Sequence, residues 1–542
     1  MPRPSLAFVL PILVGTLLAV GCTAATPIPA PSPAPREMNL QDAPEAAPEF
    51  DGGIAWLNTA GPIKLKDLKG KVVLLDFWTL CCINCIHVLP DLAKLEKKYP
   101  NQLVVIGVHS AKFESEKDTK NIRKAILRYE IAHPVVNDAD HKIWDKYGVQ
   151  SWPSMALIDT EGKLVGMTSG EGNLEILDKA IAKLIEKAKT NKTLDEKPVR
   201  FDLVRYREKG DTPLFFPGKI LADAKSNRLV IADSTHHRIV ITDLAGKGQL
   251  VIGTGTPGRK DGAFSEAQFD DPQGLALDGD TLYIADRKNH CIRAADLKAK
   301  TLSTIAGTGE QAQDTRAIET PAPARTTGLN SPWDILLVGK TLYIAMAGHH
   351  QIWAMDLDKK TVIPFSGDGR ENIKDGPHYA ARFAQPSGLA TDGKFLYVAD
   401  SEVSAIRKVP LDINGRVETL VGEGLFEFGD VDGTGKDVRL QHALAVAMHD
   451  GKILIADTYN NKLKVLDPKT GECKSFVGGK DGTFDEPAGL SVANGKAYVA
   501  DTNANRIRVV DLATKQVTTL ELTGVSPPPP QKEWLPPETP KK

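Results

Sequence analysis

A short motif recurs in phase through the C-terminal part of the chain, and a repeat of this kind restricts the possible folds severely. Ile231-Ala-Asp233, Ile284-Ala-Asp286, Ile344-Ala-Met346, Val398-Ala-Asp400, Ile455-Ala-Asp457 and Val499-Ala-Asp501 follow one another at spacings of 53, 60, 54, 57 and 44 residues. Most units open on a Pro-x-Gly step, as in Pro272-Gln-Gly274, Pro386-Ser-Gly388 and Pro487-Ala-Gly489. They close on glycine-rich links such as Gly307-Thr-Gly309 and Gly422-Glu-Gly424. Each unit holds four short strand patterns and cannot bury its apolar faces alone. Six of them around an axis close into a six-bladed β-propeller, expected over 206–525. The aspartate ending each motif is expected to bond the backbone N–H groups that follow it and so fix the next turn. Blade three lacks that aspartate and carries Met346-Ala-Gly-His349-His350, which reads as decay of the repeat. His236-His237 is expected in a solvated turn, and Cys291 and Cys473 as isolated buried thiols in opposite blades. Gly253-Thr-Gly255-Thr-Pro-Gly258 has the spacing of a dinucleotide-binding loop but opens no helix, so turn chemistry accounts for it.

Ahead of the repeats the pattern differs. From 51 to 190 strand and helix periods alternate: Val72–Phe77, then a helix over Cys82–Lys98, a strand over Gln102–Val108 and a helical period over Glu114–Tyr129. A short helix over Asp140–Tyr147 comes next, then Met155–Asp159 and Lys163–Met167 joined by Glu161-Gly162, and a last helix over Leu174–Lys187. This order predicts a mixed central sheet covered by helices. Cys82-Ile-Asn-Cys85 stands at the first strand-to-helix junction, with Pro90 five residues further on. A thiol pair there can cycle between dithiol and disulfide. Other chemistries are open but fit less well. Zinc would need His87 beside Cys81, Cys82 and Cys85 in a crowded spacing. Haem attachment wants histidine directly after the second cysteine, where Ile86 stands. A structural disulfide, idle thiols or a peroxidatic cysteine are the remaining alternatives.

Asp76, Cys82, Cys85, Pro90 and Ser151-Trp152-Pro153 together resemble the thioredoxin fold, and more narrowly its membrane-tethered thiol–disulfide branch. The repeats, as in Asp457-Thr-Tyr-Asn-Asn-Lys-Leu463 and Asp501-Thr-Asn-Ala-Asn-Arg-Ile507, resemble NHL repeats. The two in this order are similar to the NHL-repeat-containing thioredoxin-like family, and the resemblance covers about 50–525. It implies a multidomain chain, α/β then all-β, with a redox-active Cys82–Cys85 disulfide. Cys82 would be the exposed nucleophile, favoured as thiolate by the helix N-terminus, and Cys85 the resolving thiol. Asp76 would be the buried proton acceptor, Pro153 a cis-proline facing the thiols and their substrate's backbone, and Trp78 would pack under the site. Cys81 stands where thioredoxins usually carry tryptophan, and its role is open.

The first 21 residues read as an export signal, with Arg3 ahead of an apolar run over Leu6–Val20. Ala19-Val-Gly-Cys22 resembles a lipoprotein cleavage site and would put a lipid on Cys22. Residues 22–50 are expected as a Pro/Ala-rich spacer, 191–205 as a linker and 526–542 as a disordered tail. A location outside the cytoplasm, tethered to a bacterial membrane, follows from that reading and permits disulfides. The net charge of −2 gives no general attraction to nucleic acid, and none is expected as a partner. No metal or other cofactor is called for. The expected partners are a thiol- or disulfide-bearing protein substrate and a protein or peptide recognised by the propeller.

Overall fold

The computed structural model describes residues 45–208, 210–313 and 318–531. Two architectures follow one another along the chain. The first is a six-stranded mixed sheet in the order β1 (Ala55–Leu57), β4 (Val135–Asn137), β3 (Leu103–His109), β2 (Val72–Trp78), β5 (Ser154–Ile158), β6 (Leu164–Ser169). β2 pairs in parallel with β3 and antiparallel with β5. Every side chain of β2 is buried because both faces of the sheet are covered. Val73, Leu75 and Phe77 face a core closed by Ile143, Trp144 and Tyr147 of α3 (Lys142–Tyr147). Val72 and Leu74, on the alternate face, pack under α1 (Ile83–Lys98) and α4 (Leu174–Thr190). The period of two therefore turns Asp76 and Trp78 toward the α1 side, where the thiols lie. The helical period expected over 114–129 breaks into a 3-10 turn, Glu114–Lys117, and α2 (Thr119–Arg128). The break falls at Asp118, whose side chain caps α2 by accepting from the Lys120 N–H.

The second architecture is a six-bladed propeller. Two blades have four strands, and the other four add a two-residue outer strand. The ring closes where the inner strands Ile220–Asp223 and Pro487–Ala493 meet, and the Ser491 hydroxyl accepts from the Ala222 N–H. Lys219 crosses the axis: its ammonium donates to the carbonyls of Ser387 and Leu444 and lies 3.7 Å from Asp334. One buried cation thus ties together blades one, three, four and five.

Several segment boundaries differ from the sequence reading. Residues 45–50 belong to the first domain and not to a spacer: the Glu45 carbonyl accepts from Leu164, and Phe50 is buried against Trp56. Residues 191–205 are strapped down, because the buried Lys71 ammonium donates to the carbonyls of Asp195 and Lys197, and Val204 donates to Asn58. The expected tail holds ordered contacts up to residue 531, with Arg238 donating to the Ser526 carbonyl. The expected signal segment, Cys22 and residues 532–542 lie outside the described residues.

The repeated aspartates do not act as expected. Asp233, Asp286, Asp400, Asp457 and Asp501 each accept from a backbone N–H that precedes them by 16 or 18 residues, at the lead-in to their own blade. A local turn cannot supply that geometry, whereas the antiparallel inner hairpin brings the two points together. In blade three the Met346 sulfur takes the same place, 3.4 Å from the Asn330 N–H. The turn histidines are buried, not solvated, with His236 2.8 Å from Asp233.

Candidate active site

α1 begins at Cys82, which occupies the N-cap with extended backbone and no side-chain cap bond. Cys85 lies one turn inside, close enough for the two thiols to act on each other. Both cysteines are free here, without the Cys82–Cys85 disulfide that the sequence reading expects. Burial, then the neighbouring Cys82 thiol, push the Cys85 thiol well above its ordinary range. Asp76 is fully buried, and neither carboxylate oxygen has a hydrogen-bond partner among the described residues. Desolvation raises it to about 7, against the opposing pull of His133. Trp78 packs in one apolar cluster with Cys81, Cys82 and Cys85, its ring set edge-on to His109 at 4.8 Å. Pro153 is buried and the Trp152–Pro153 bond is cis.

Cys82 is not the exposed nucleophile that the sequence suggested: only 8% of its surface is accessible. The reason is the propeller, whose face is seated on the first turn of α1. Gln385 accepts from the Ile83 N–H at 2.8 Å and donates to the Cys81 carbonyl at 2.9 Å, so one amide brackets Cys82 on both sides. Ile83 and Ile86 project into an apolar cluster with Trp333, Ala347, Leu444 and Ala488 around the propeller axis. Cys81 faces the propeller as well. Its thiol donates to Glu402 at 3.5 Å, and its N–H donates to Glu116. Burial, then Glu116 and Glu402, hold that thiol protonated. A tryptophan at this position would have to occupy space already filled by Glu402, which accounts for the small residue.

Several of the propeller contacts come from one repeated position, which the sequence reading overlooked. Phe216, Asp271, Ser331, Gln385, His442 and Glu486 each lead into an inner strand and each has φ between 46° and 61°. Their N–H groups are held by a side chain of the preceding blade, namely Asn505, His237, His290, His350, Ser404 and Asn461. His350 keeps this bond in blade three, so the repeat there is altered rather than decayed. With the backbone pinned in the left-handed region, the six side chains are free to differ. Phe216 packs with Leu127, Ser331 lies 2.7 Å from His87 Nε2, Gln385 holds α1, His442 packs on Phe113, and Glu486 pairs with Arg128. A variable residue before a fixed proline, in five of the six units, was the signal available in the sequence.

Lys112 adds a buried ion pair to Glu402 at 3.2 Å, and Lys124 a partly exposed one to Asp485. His87 is bridged between Glu171 at 2.6 Å and Ser331, a chain of contacts that joins the loop before α4 to blade three. Among the described residues, no group of three or more His, Cys, Asp or Glu side chains could hold a metal ion. No helix there is long and apolar enough to cross a membrane.

Comparison with known proteins agrees with both architectures. The family model described as thioredoxin-like matches residues 70–164, and the NHL-repeat model matches residues 269–294. The chain is 45% identical over 488 residues to NHL repeat-containing protein 2 of Bos taurus, covering 81% of this chain and 66% of that protein. It is 41% identical over 499 residues to the Gallus gallus protein of the same name, covering 83% of this chain and 68% of the relative. The chain thus spans about two thirds of the length of these relatives. Over 139 residues it is 29% identical to the thiol-disulfide oxidoreductase YkuV of Bacillus subtilis, covering 26% of this chain and 93% of that one.

Proposed function

We propose that this chain, which belongs to the family of NHL-repeat-containing proteins with a thioredoxin-like domain, is a thiol–disulfide oxidoreductase whose propeller roofs its own reactive thiols. The observation that carries the reading is the buried Asp76, without a hydrogen-bond partner among the described residues, next to a dithiol whose inner member is held protonated. Those are the parts the exchange needs. Cys82 attacks a substrate disulfide, one sulfur of the substrate leaves as a thiolate, and a mixed disulfide forms. Cys85 then gives its proton to Asp76 and attacks Cys82, which releases the second sulfur and closes the Cys82–Cys85 bond. Two electrons pass from the dithiol to the substrate. The similarity to a bacterial thiol-disulfide oxidoreductase over the first domain supports this chemistry.

The roof gives the propeller a different part from the partner platform the sequence suggested. Gln385, Leu444 and Glu402 occupy the ground over Cys82 that a protein substrate would need. Substrate engagement therefore requires the two domains to part, and partner recognition falls to the propeller surfaces away from α1. Export and tethering through Cys22 complete the proposal, supported by the apolar run ahead of Ala19-Val-Gly-Cys22. A Cys22→Ser variant should then move from the membrane to the soluble fraction.

The deciding experiment uses Cys85→Ser. It should accumulate mixed disulfides through Cys82, and Cys82→Ser should abolish them. A second reading is a non-catalytic scaffold, and the burial of Cys82 is the observation that favours it. If Cys85→Ser traps nothing and the intact protein neither reduces nor oxidises a model disulfide, the scaffold reading holds.

A further inference from the structure

Blades two, four and five fasten their outer edge with one polar clasp. Asp261, just ahead of the two-residue outer strand of blade two, pairs with Arg293 and accepts from the N–H and the hydroxyl of Thr304. Asp375 does the same with Arg407 and Thr419, and Asp432 with Lys464 and Ser475. Blade three exchanges all three members together. Pro321 precedes its outer strand, Trp353 stands in the place of the cation, and Pro364, in register with Trp353, in the place of the threonine or serine. Proline at 364 also removes the N–H that the aspartate holds in the other blades, so this edge is apolar and cannot take an added strand there.

A groove of about 570 Å³ opens beside the same edge, between blades three and four. Pro364 and Phe365 line it from blade three, and Tyr379 and Ile413 from blade four. Tyr379 is 82% exposed and Ile413 58%, large apolar surfaces kept in water. None of the propeller residues named above in the contact with the first domain lines this groove. The chain itself shows which chemistry suits such a surface. Pro528, Pro529 and Pro530 sit in a recess of blade one against Phe215 and His236, whose rings lie 5.5 Å apart. The groove carries the same kind of pair, with the rings of Phe365 and His378 4.8 Å apart, and adds Tyr379. A run of prolines is stiff before it binds, so it loses little conformational freedom in an aromatic-lined groove.

We propose that the groove between blades three and four docks a proline-rich segment of a partner protein, with a lysine or arginine of that segment beside Glu319. Two carboxylates, Glu319 and Asp368, line the groove, and Asp368 is already held by Arg382 at 2.8 Å, so the basic residue faces Glu319. The inference names a surface for the partner recognition that the reading above gives to the propeller and rests on that reading in this respect alone. The thiol chemistry plays no part in it.

The test follows fluorescein-labelled decaproline on the full chain by fluorescence polarisation, beside the same peptide with two arginines appended and a Gly-Ser peptide of equal length. Both proline peptides should bind and the Gly-Ser peptide should not. Tyr379 and Ile413 are largely exposed, so their replacement spares the fold. Tyr379→Ala should weaken decaproline binding about tenfold or more, and Ile413→Ser about threefold or more. Glu319→Gln should remove the advantage of the arginine-bearing peptide and leave decaproline as it was; an advantage that survives overturns the basic contact. Binding that Tyr379→Ala leaves intact overturns the groove and puts the prolines elsewhere, as in the recess filled by the chain's own tail. Equal binding of the Gly-Ser peptide, or no binding of either proline peptide, overturns the proline-rich occupant. A twofold mass in light scattering that Tyr379→Ala returns to a single chain overturns the partner and makes the groove a contact between copies. None of these measurements reads a thiol. Mixed disulfides trapped by Cys85→Ser without proline binding overturn the groove alone, and proline binding without any disulfide exchange overturns the oxidoreductase reading alone.

Discussion

Asp76 keeps its proton up to about pH 7 in the folded chain, whereas an unfolded aspartate releases it near 3.8. Between those values the folded state binds more protons, so this group makes stability fall as pH rises, and its full cost is present above pH 7. Asp76→Asn should therefore stabilise the protein at pH 8, by up to about 4 kcal/mol at 1.36 kcal/mol per unit, and do little at pH 4. Chemical denaturation at the two pH values checks this, and an equal gain at both would remove proton linkage as the cause. The same variant should slow disulfide turnover. Cys81 makes a different point. Its thiol is a donor to Glu402 inside the domain contact, so Cys81→Ser should leave Cys82 as slow to alkylate as in the wild type. Cys81→Trp restores the usual thioredoxin residue and cannot fit beneath the roof. It should raise Cys82 alkylation by about tenfold or more, as local opening replaces burial.

At the scale of the element, blade three shows how a repeat tolerates change. Arg293 and Arg407 are fully buried and pair with Asp286 and Asp400. Trp353 holds the equivalent place opposite Ile344, as Arg293 does opposite Ile284. Blade three has therefore exchanged a buried ion pair for Met346 and Trp353, both apolar and both fully enclosed. Breaking a buried pair is costly because one charge is left alone, whereas exchanging both members is not. Met346→Asp alone should destabilise the propeller by about 3 kcal/mol or more, and adding Trp353→Arg should recover most of that loss. A double-mutant cycle read by urea unfolding measures the coupling, and purely additive losses would refute the exchange. The sheet, helices and blades were legible in the sequence because their signals are local and periodic, from the β-branched run of β2 to the returning Ala-Asp steps. The aspartates' true partners were not, because those bonds close across a hairpin 16 or 18 residues long.

For the whole molecule the decisive contacts join residues 302 and 321 positions apart, Ile83 to Gln385 and Cys81 to Glu402. No period or spacing carries such pairs, so the thiol motif was readable while its burial was not. The same contacts make the closed arrangement sensitive to acid. Burial alone would raise Glu402, but the Lys112 ammonium and the His442 imidazole overcome it and hold the carboxyl at about 2. Asp485 is likewise held low, against its desolvation, by Lys124 and Lys120. A carboxylate whose value is depressed in the closed state contributes its stabilisation above the ordinary range near 4.5, and loses it as pH falls toward 2. The two domains should therefore part between about pH 4 and 2.5, before either has unfolded. Small-angle scattering should record a larger radius of gyration in that window while far-UV circular dichroism keeps its native shape. Glu402→Gln leaves Lys112 buried without its partner, at a cost of about 3 kcal/mol, so that variant should be looser already at pH 7 and alkylate Cys82 faster. If the radius holds until the dichroism is lost, the roof is not a separable lid, and Cys82 must be reached by some motion smaller than the parting of domains.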